Sequence, residues 1–280
     1  MRVGVGGASG FIGKHLCAAL RARGDEVVET SLRDPADAAA KASGCEAFVN
    51  LAGETLGQRW NDRVKAEILS SRTQPPRRFF DALEKLEPRP RVYISASAVG
   101  YYGASETATF TESDPPGNDF LARVCVEWER TAQAGKELGM RVACVRSGLV
   151  LSRDGGALQR LLPIFKSGGG GRVGSGRQWY SWIHIADAVG IYMLAIDGIE
   201  GAINATAPNP VRNAEFSDTL ARALGRPSAL PAPAFAIKLM LGEGATIVLD
   251  GQRVLPARAQ SEGYAFRFAD LSAALANLLA

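Results

Sequence analysis

The chain of 280 residues has only two histidines, His15 and His184, and four cysteines, Cys17, Cys45, Cys125 and Cys144. No two cysteines form a C-x-x-C pair and no Cys/His cluster exists, so no metal site is expected. Cys17 and Cys144 fall in apolar runs and read as small core residues. No apolar stretch reaches the roughly 18 residues that suggest a membrane span. The N-terminus opens on a core strand instead of a signal peptide, so the expectation is a cytoplasmic protein with reduced thiols and no membrane partner. A charge bias is missing too: 32 basic against 29 acidic residues leave a net +3. Without a block of like charge or a basic stripe interleaved with aromatics, nucleic acid is not an expected partner. The remaining composition, 46% hydrophobic and 22% charged, is that of a globular protein with one large domain or two small ones.

What is present begins at once. Val3 and Val5 lead into Gly7-x-x-Gly10-x-x-Gly13, and a helical pattern through Phe11, Ile12, Leu16, Ala19 and Leu20 follows. Strand, glycine turn and helix start make a pyrophosphate site: backbone without Cβ approaches the ligand, and unpaired N–H groups face the anion. A second apolar run at Glu26–Thr30 lies at the distance of a βαβ unit, which turns an otherwise weak motif into an expectation of dinucleotide binding. That strand runs out at Ser31-Leu32-Arg33. A cation there accommodates a 2′-phosphate, so Arg33, assisted by Ser31, favours NADP(H) over NAD.

The rest of the chain alternates. Cys45–Gly53 reads as a buried strand ending on small residues, with Ala52 and Gly53 close to the adenosine half of the cofactor. A helix is expected over Asn61–Ser71 with Asn61 as its cap, an interruption at Pro75-Pro76, and a second helical piece over Arg78–Leu86. A strand at Arg91–Ser95, a helix over Asp119–Leu138 and a strand at Arg141–Arg146 follow. The fold class is therefore α/β: a doubly wound, mainly parallel Rossmann sheet with helices on both faces. Residues 1–150 form the cofactor domain, with a segment around 177–206 returning to it. Residues 151–280 form a smaller mixed α/β substrate region, entered through a glycine-rich loop at Ser167–Gly176 and containing the proline-rich connection Pro227–Pro233. Arg172 and Arg177 read either as a clamp for an anionic substrate group or as solvated loop residues.

The glycine turn, Ser95-Ala-Ser97 with Tyr101-Tyr102-Gly103, and Trp182-Ile-His184-Ile-Ala-Asp187 resemble the extended short-chain dehydrogenase/reductase superfamily. Asn50–Glu54, Lys65…Ser71-Arg72, Phe120–Cys125 with Trp128, Ala205–Pro210 and Gly251–Pro256 resemble, more narrowly, its atypical NAD-dependent epimerase/dehydratase-like "epimerase family" branch, which ends in a small domain of unknown function. The resemblance covers essentially the whole chain. It implies cofactor contacts from Gly7, Ser9, Gly10, Phe11, Ile12, Gly13, Leu51, Arg72 and Ser95, beside Arg33, Ala52 and Gly53. It also implies a small-molecule substrate, a homodimer and a structural role for His184 at the crevice.

Superfamily catalysis uses a tyrosine and, four residues on, a lysine. No lysine here has a tyrosine four residues before it. In its place the helix offers Phe120 or Leu121 followed by Val124 or Cys125. The candidate catalytic groups are then Ser97, Tyr101 and Tyr102. A phenol, which titrates near 10, needs a cation beside it, for which Arg146, Lys65 and Arg72 are the candidates. Two functions stay open: an NADP(H)-dependent oxidoreductase or epimerase-like isomerase with a non-standard proton donor, or a catalytically silent NADP(H)-binding regulatory or scaffold protein, a class for which some members of the branch carry a cell-division label.

Overall fold

The computed structural model describes residues 1–228 and 230–280; Ala229, within the proline-rich connection, lies outside them. Six parallel strands form the central sheet: β1 (Arg2–Gly6), β2 (Glu26–Thr30), β3 (Ala47–Asn50), β4 (Val92–Ala98), β5 (Arg141–Ser147) and β6 (Gly201–Ala205). Their spatial order is β2-β1-β3-β4-β5-β6. The order reverses between β1 and β3, and the crevice at the carboxyl ends of strands at such a switch point is where ligands of open α/β sheets bind.

Strand periodicity sorts the core. Val3, Val5, Val49, Ile94 and Val145 face one way and pack beneath α1 (Phe11–Ala22) and α6 (Ile185–Asp197). Phe48, Tyr93, Val142 and Cys144 face the other way, toward α2 (Pro35–Ala42) and α3 (Asp62–Leu83). Next to α3 lies α4 (Phe120–Ala132). The remaining longer helices are α5 (Gly156–Lys166), α7 (Asn213–Ala223), α8 (Ala234–Leu241) and α9 (Leu271–Leu279). No helix of the described residues is long and apolar enough to cross a membrane.

The expected break at Pro75-Pro76 does not occur. α3 is one helix of 22 residues with both prolines inside it and Asn61 as its cap, accepting from Val64 N at 2.9 Å. Each interior proline costs about 3 kcal/mol in a helix. Downstream, however, Phe79, Phe80 and Leu83 are buried against Phe48 and Tyr93. Burying three such side chains contributes about 1.5–3 kcal/mol each, which holds the helix together across the prolines. The expected helix at 119–138 is interrupted at Gln133: α4 ends at Ala132 and a four-residue helix spans Ala134–Glu137.

Short two-stranded pairings outside the central sheet tie later segments of the chain to earlier ones. Arg253–Val254 pairs in parallel with Thr109–Phe110, just beyond β4, and Trp182–His184 pairs with residues of Leu149–Ser152. Asp187, wholly buried on α6, accepts from Arg267 N (2.8 Å), Phe268 N (3.0 Å) and the Tyr264 hydroxyl (3.2 Å). His184 stacks on Phe268 at 4.0 Å, and its Nδ1 accepts from Ala186 N. The Trp-Ile-His-x-x-Asp motif thus anchors the C-terminal segment.

Candidate active site and cofactor cleft

Three turns meet at the carboxyl edge of the sheet. After β1, Gly7 adopts φ +82°, and a Cβ there would lie 3.1 Å from the Leu51 backbone. A Cβ on Gly13 would lie 2.2 Å from the Gly7 carbonyl oxygen, so only glycine lets α1 start against this turn. Gly10 caps α1 without a side-chain bond, and the first turn carries no carboxylate. The N–H groups of Phe11, Ile12 and Gly13 have no acceptor among the described residues. Three free donors at a helix start, beside exposed Ser9 and Gly10, fit the pyrophosphate of a dinucleotide. The Phe11 ring fills the space over Gly155 and Gly156, where Cβ atoms would approach it to 2.2 and 2.8 Å.

After β3, buried Asn50 donates to the Tyr93 hydroxyl (3.1 Å) and accepts from Ala52 N (3.0 Å). This fixes Leu51, Ala52 and Gly53 against the glycine turn. Arg72 sits beneath the same loop, buried, donating to Glu54 O (2.9 Å) and Ile68 O (3.0 Å), with Trp128 at 4.9 Å. Its donors are directed at protein carbonyls, so it shapes the loop, and burial draws its pKa below the usual range.

The third turn follows β4 and holds the polar centre of the cleft. Ser97 lies opposite Arg146 in the β4–β5 register, on the face covered by α4. Glu129 reaches both from α4. It accepts from Ser97 Oγ (2.7 Å) and Arg146 Nε (2.8 Å) at one oxygen, and from Arg146 Nη2 (2.9 Å) at the other. Arg146 Nη1 donates to the Tyr102 hydroxyl (2.9 Å), which donates to Asn204 Oδ1 (2.7 Å). Burial opposes the charge on Arg146, but Glu129 outweighs it and holds the guanidinium pKa well above its usual range. Burial pushes the Tyr102 phenol up to about 12 even with Arg146 beside it. Ser97 and Tyr102 are each 3% exposed with their protons engaged inside the protein.

Tyr101 is different. It is half-buried in the single-turn helix Val99–Tyr102, with its ring over the Arg146 guanidinium at 3.4 Å and edge-on to Tyr102. Its hydroxyl makes no hydrogen bond among the described residues. Of the three candidate cations, Arg146 is therefore the one beside a tyrosine. Lys65 is engaged by Glu243 at 2.8 Å and Asp62 at 3.2 Å. Leu121 and Cys125 of α4 abut the same turn, close to Gly100. Burial lifts the Cys125 thiol to about 12, which keeps it protonated at neutral pH. Ser95, also buried, donates to Ala96 O.

Beyond β2, Arg33 is exposed on the wall of a cavity of about 330 Å³ between the start of α2 and the exposed side of α3. Arg78, exposed on α3, lines the same cavity. In the C-terminal half, Arg172 is exposed and Arg177 lies 3.5 Å from Glu106. Sequence reasoning missed Glu129 and Arg78. Glu129 was findable, because an arginine inside a buried strand requires an anionic partner, and of the two carboxylates of α4 Glu129 is the one four positions after Cys125 on the same helix face.

Residues 3–205 match the model of the "NAD dependent epimerase/dehydratase family", and residues 232–278 match a domain of unknown function, DUF1731. The chain belongs to the NAD dependent epimerase/dehydratase family. An epimerase family protein SDR39U1 homolog of Arabidopsis thaliana, described as chloroplastic, is 44% identical over 100% of this chain and 87% of its own. The crystal structure of human epimerase family protein SDR39U1 (isoform 2) with NADPH superposes with a TM-score of 0.91 at 36% identity, covering 99% of both chains. A nucleoside-diphosphate sugar epimerase from Corynebacterium glutamicum gives 0.82 at 34% identity, covering all of this chain and 58% of that one.

Proposed function

We propose that this family member binds NADPH along the carboxyl edge of its sheet and transfers hydride to or from a carbon centre of a small polar substrate, with Tyr101 handling the proton. The N–H groups of Phe11, Ile12 and Gly13 hold the pyrophosphate, Leu51–Gly53 lie along the adenosine half, and Arg33 meets the 2′-phosphate. NADPH in the human relative supports the cofactor. When bound, the nicotinamide supplies hydride chemistry.

The observation that carries the reading is the stack of Tyr101 on Arg146. A cation fixed against a phenol with a free hydroxyl stabilises the negative charge that develops on that oxygen as its proton is transferred. Glu129 and Ser97 position the guanidinium, and Tyr102 braces it from the other side. The lysine of the superfamily pair is thereby replaced by an arginine from the sheet. The C. glutamicum relative makes nucleoside-diphosphate sugars the first substrates to try.

The test is a screen of nucleoside-diphosphate sugars and small aldehydes and ketones for NADPH turnover, with Gly10→Asp as the binding-dead control. On an active substrate, Tyr101→Phe should lower kcat at least about 100-fold, the scale of one general acid–base group, with NADPH affinity unchanged. A Tyr101→Phe enzyme with wild-type kcat would overturn the assignment. Wild-type protein that binds NADPH and turns over nothing would leave the silent reading in its place.

A further inference from the structure

The cavity beyond β2 has a second cation that neither the glycine turn nor the strand end announces. α3 continues through its two prolines, so Arg78 comes one turn after Gln74 on the helix face that also presents Ser71 to the cavity. Had the helix broken at Pro75, this alignment would be lost. Arg33 and Arg78 approach from different elements, and neither enters an ion pair among the described residues.

The same cavity holds two carboxylates, Glu54 and Glu67. Glu67 precedes Arg78 by eleven positions, about 16 Å along the helix axis at 1.5 Å per residue. Glu54 is fixed at the level of Ser71, whose Oγ accepts its N–H at 3.1 Å. Along the α3 wall Glu67 and Arg78 thus stand at opposite ends, and Pro35 and Pro75 also line the cavity. Arg33 stands just past the tip of β2, where the adenosine ribose lies in sheets of this order.

We propose that Arg78 is a specificity-determining residue: with Arg33 it forms a two-armed clamp on the 2′-phosphate of the cofactor, while the prolines provide the apolar surface for adenine. This rests on the NADPH reading above. One guanidinium from a strand end and one from a helix enclose a dianion that a single exposed arginine would leave half solvated.

Calorimetric titration of the whole chain with NADPH, NADH and adenosine 2′,5′-bisphosphate tests the clamp without any turnover. Arg78→Ala should weaken NADPH and the bisphosphate about 10- to 100-fold, the range of a charge-assisted contact, and leave NADH within about twofold. Arg33→Ala should behave alike, and the double variant should bind NADPH no better than NADH. Equal losses for NADPH and NADH in Arg78→Ala, or no loss for either phosphate-bearing probe, would overturn the clamp. Wild-type protein that binds neither NADPH nor the bisphosphate would instead overturn the cofactor reading beneath it.

Discussion

Replacing Glu129 by glutamine tests the architecture of the cleft most directly. The Arg146 side chain is only 5% exposed and that of Glu129 13%, so the guanidinium depends on Glu129 more than on water for its counter-charge. The amide oxygen of glutamine can still accept from Ser97 and Arg146 Nε. The other oxygen becomes an NH2 that faces Arg146 Nη2, donor against donor. One charge-assisted bond is lost and a buried guanidinium is left without its counter-charge, a change that costs about 3–5 kcal/mol where such pairs have been broken. For a chain of 280 residues that loss corresponds to a drop in Tm of about 5–8 °C. Urea unfolding of Glu129→Gln should show a lower midpoint with an unchanged slope. Removing the second charge as well, in Glu129→Gln with Arg146→Met, should recover part of the loss, because a charge-free interior of similar volume carries no desolvation penalty. Recovery should be incomplete, since Tyr102 loses a donor and Tyr101 its cation. A single variant within 1 kcal/mol of wild type, by the same measurement, would refute a dry, paired Arg146 (a surface pair is worth about that or less).

Two further expectations come from the fold. Pro75→Ala supplies the N–H that Ser71 O lacks in α3; from a helix penalty of about 3 kcal/mol, less the unfolded-state entropy a proline removes, a gain of about 2 kcal/mol is expected. A lower or unchanged denaturation midpoint would show that α3 has adapted to its prolines. Burial holds the His184 imidazole below its usual pKa, despite Asp187 and Asn277. The unfolded chain therefore takes up the proton first as pH falls, and this contribution to stability is present above about pH 6.5 and is lost progressively below it. Melting curves between pH 7.5 and 5.5 should fall more steeply for wild type than for His184→Gln; parallel curves would sink the argument.

The parts of the molecule that were legible in the sequence are those governed by local rules. The alternation of Val3 and Val5 and the glycine spacing needed only period and steric arguments to place β1, the turn and α1. Arg33 was placed at the end of β2 because strand ends are marked by a change of composition. The prolines of α3 misled because proline chemistry is local, whereas the burial of Phe79, Phe80 and Leu83 that overrides it comes from β3 and β4. Arg78 was invisible for the same reason: its place in the cavity depends on a helix that local rules would have ended. Tyr101 and Tyr102 look equivalent in sequence, and only the fold, which brings Asn204 from β6 to one hydroxyl and not the other, separates them.

That separation leaves a tyrosine beside a cation in the cleft although the tyrosine–lysine pair is absent. In α4 the positions that would face the cleft are filled by Leu121 and Cys125, which pack against Gly100 and close off the helix. A lysine could not be held in that dry contact without its charge being lost or paired. The chain instead draws its cation from β5, where a residue in register with Ser97 points to the same face. Arginine suits that position because its planar group can bind Glu129 through two bonds, meet Tyr102 with a third donor and still offer a flat face to Tyr101. Lysine, a point charge without that fork, could satisfy one of these contacts well but not all of them. The glutamate then fixes the arginine, the arginine fixes the turn, and the free hydroxyl at the sheet edge belongs to Tyr101. On the proposed reading, the groups that the superfamily concentrates in one turn of helix are divided here among a helix, a strand and a loop.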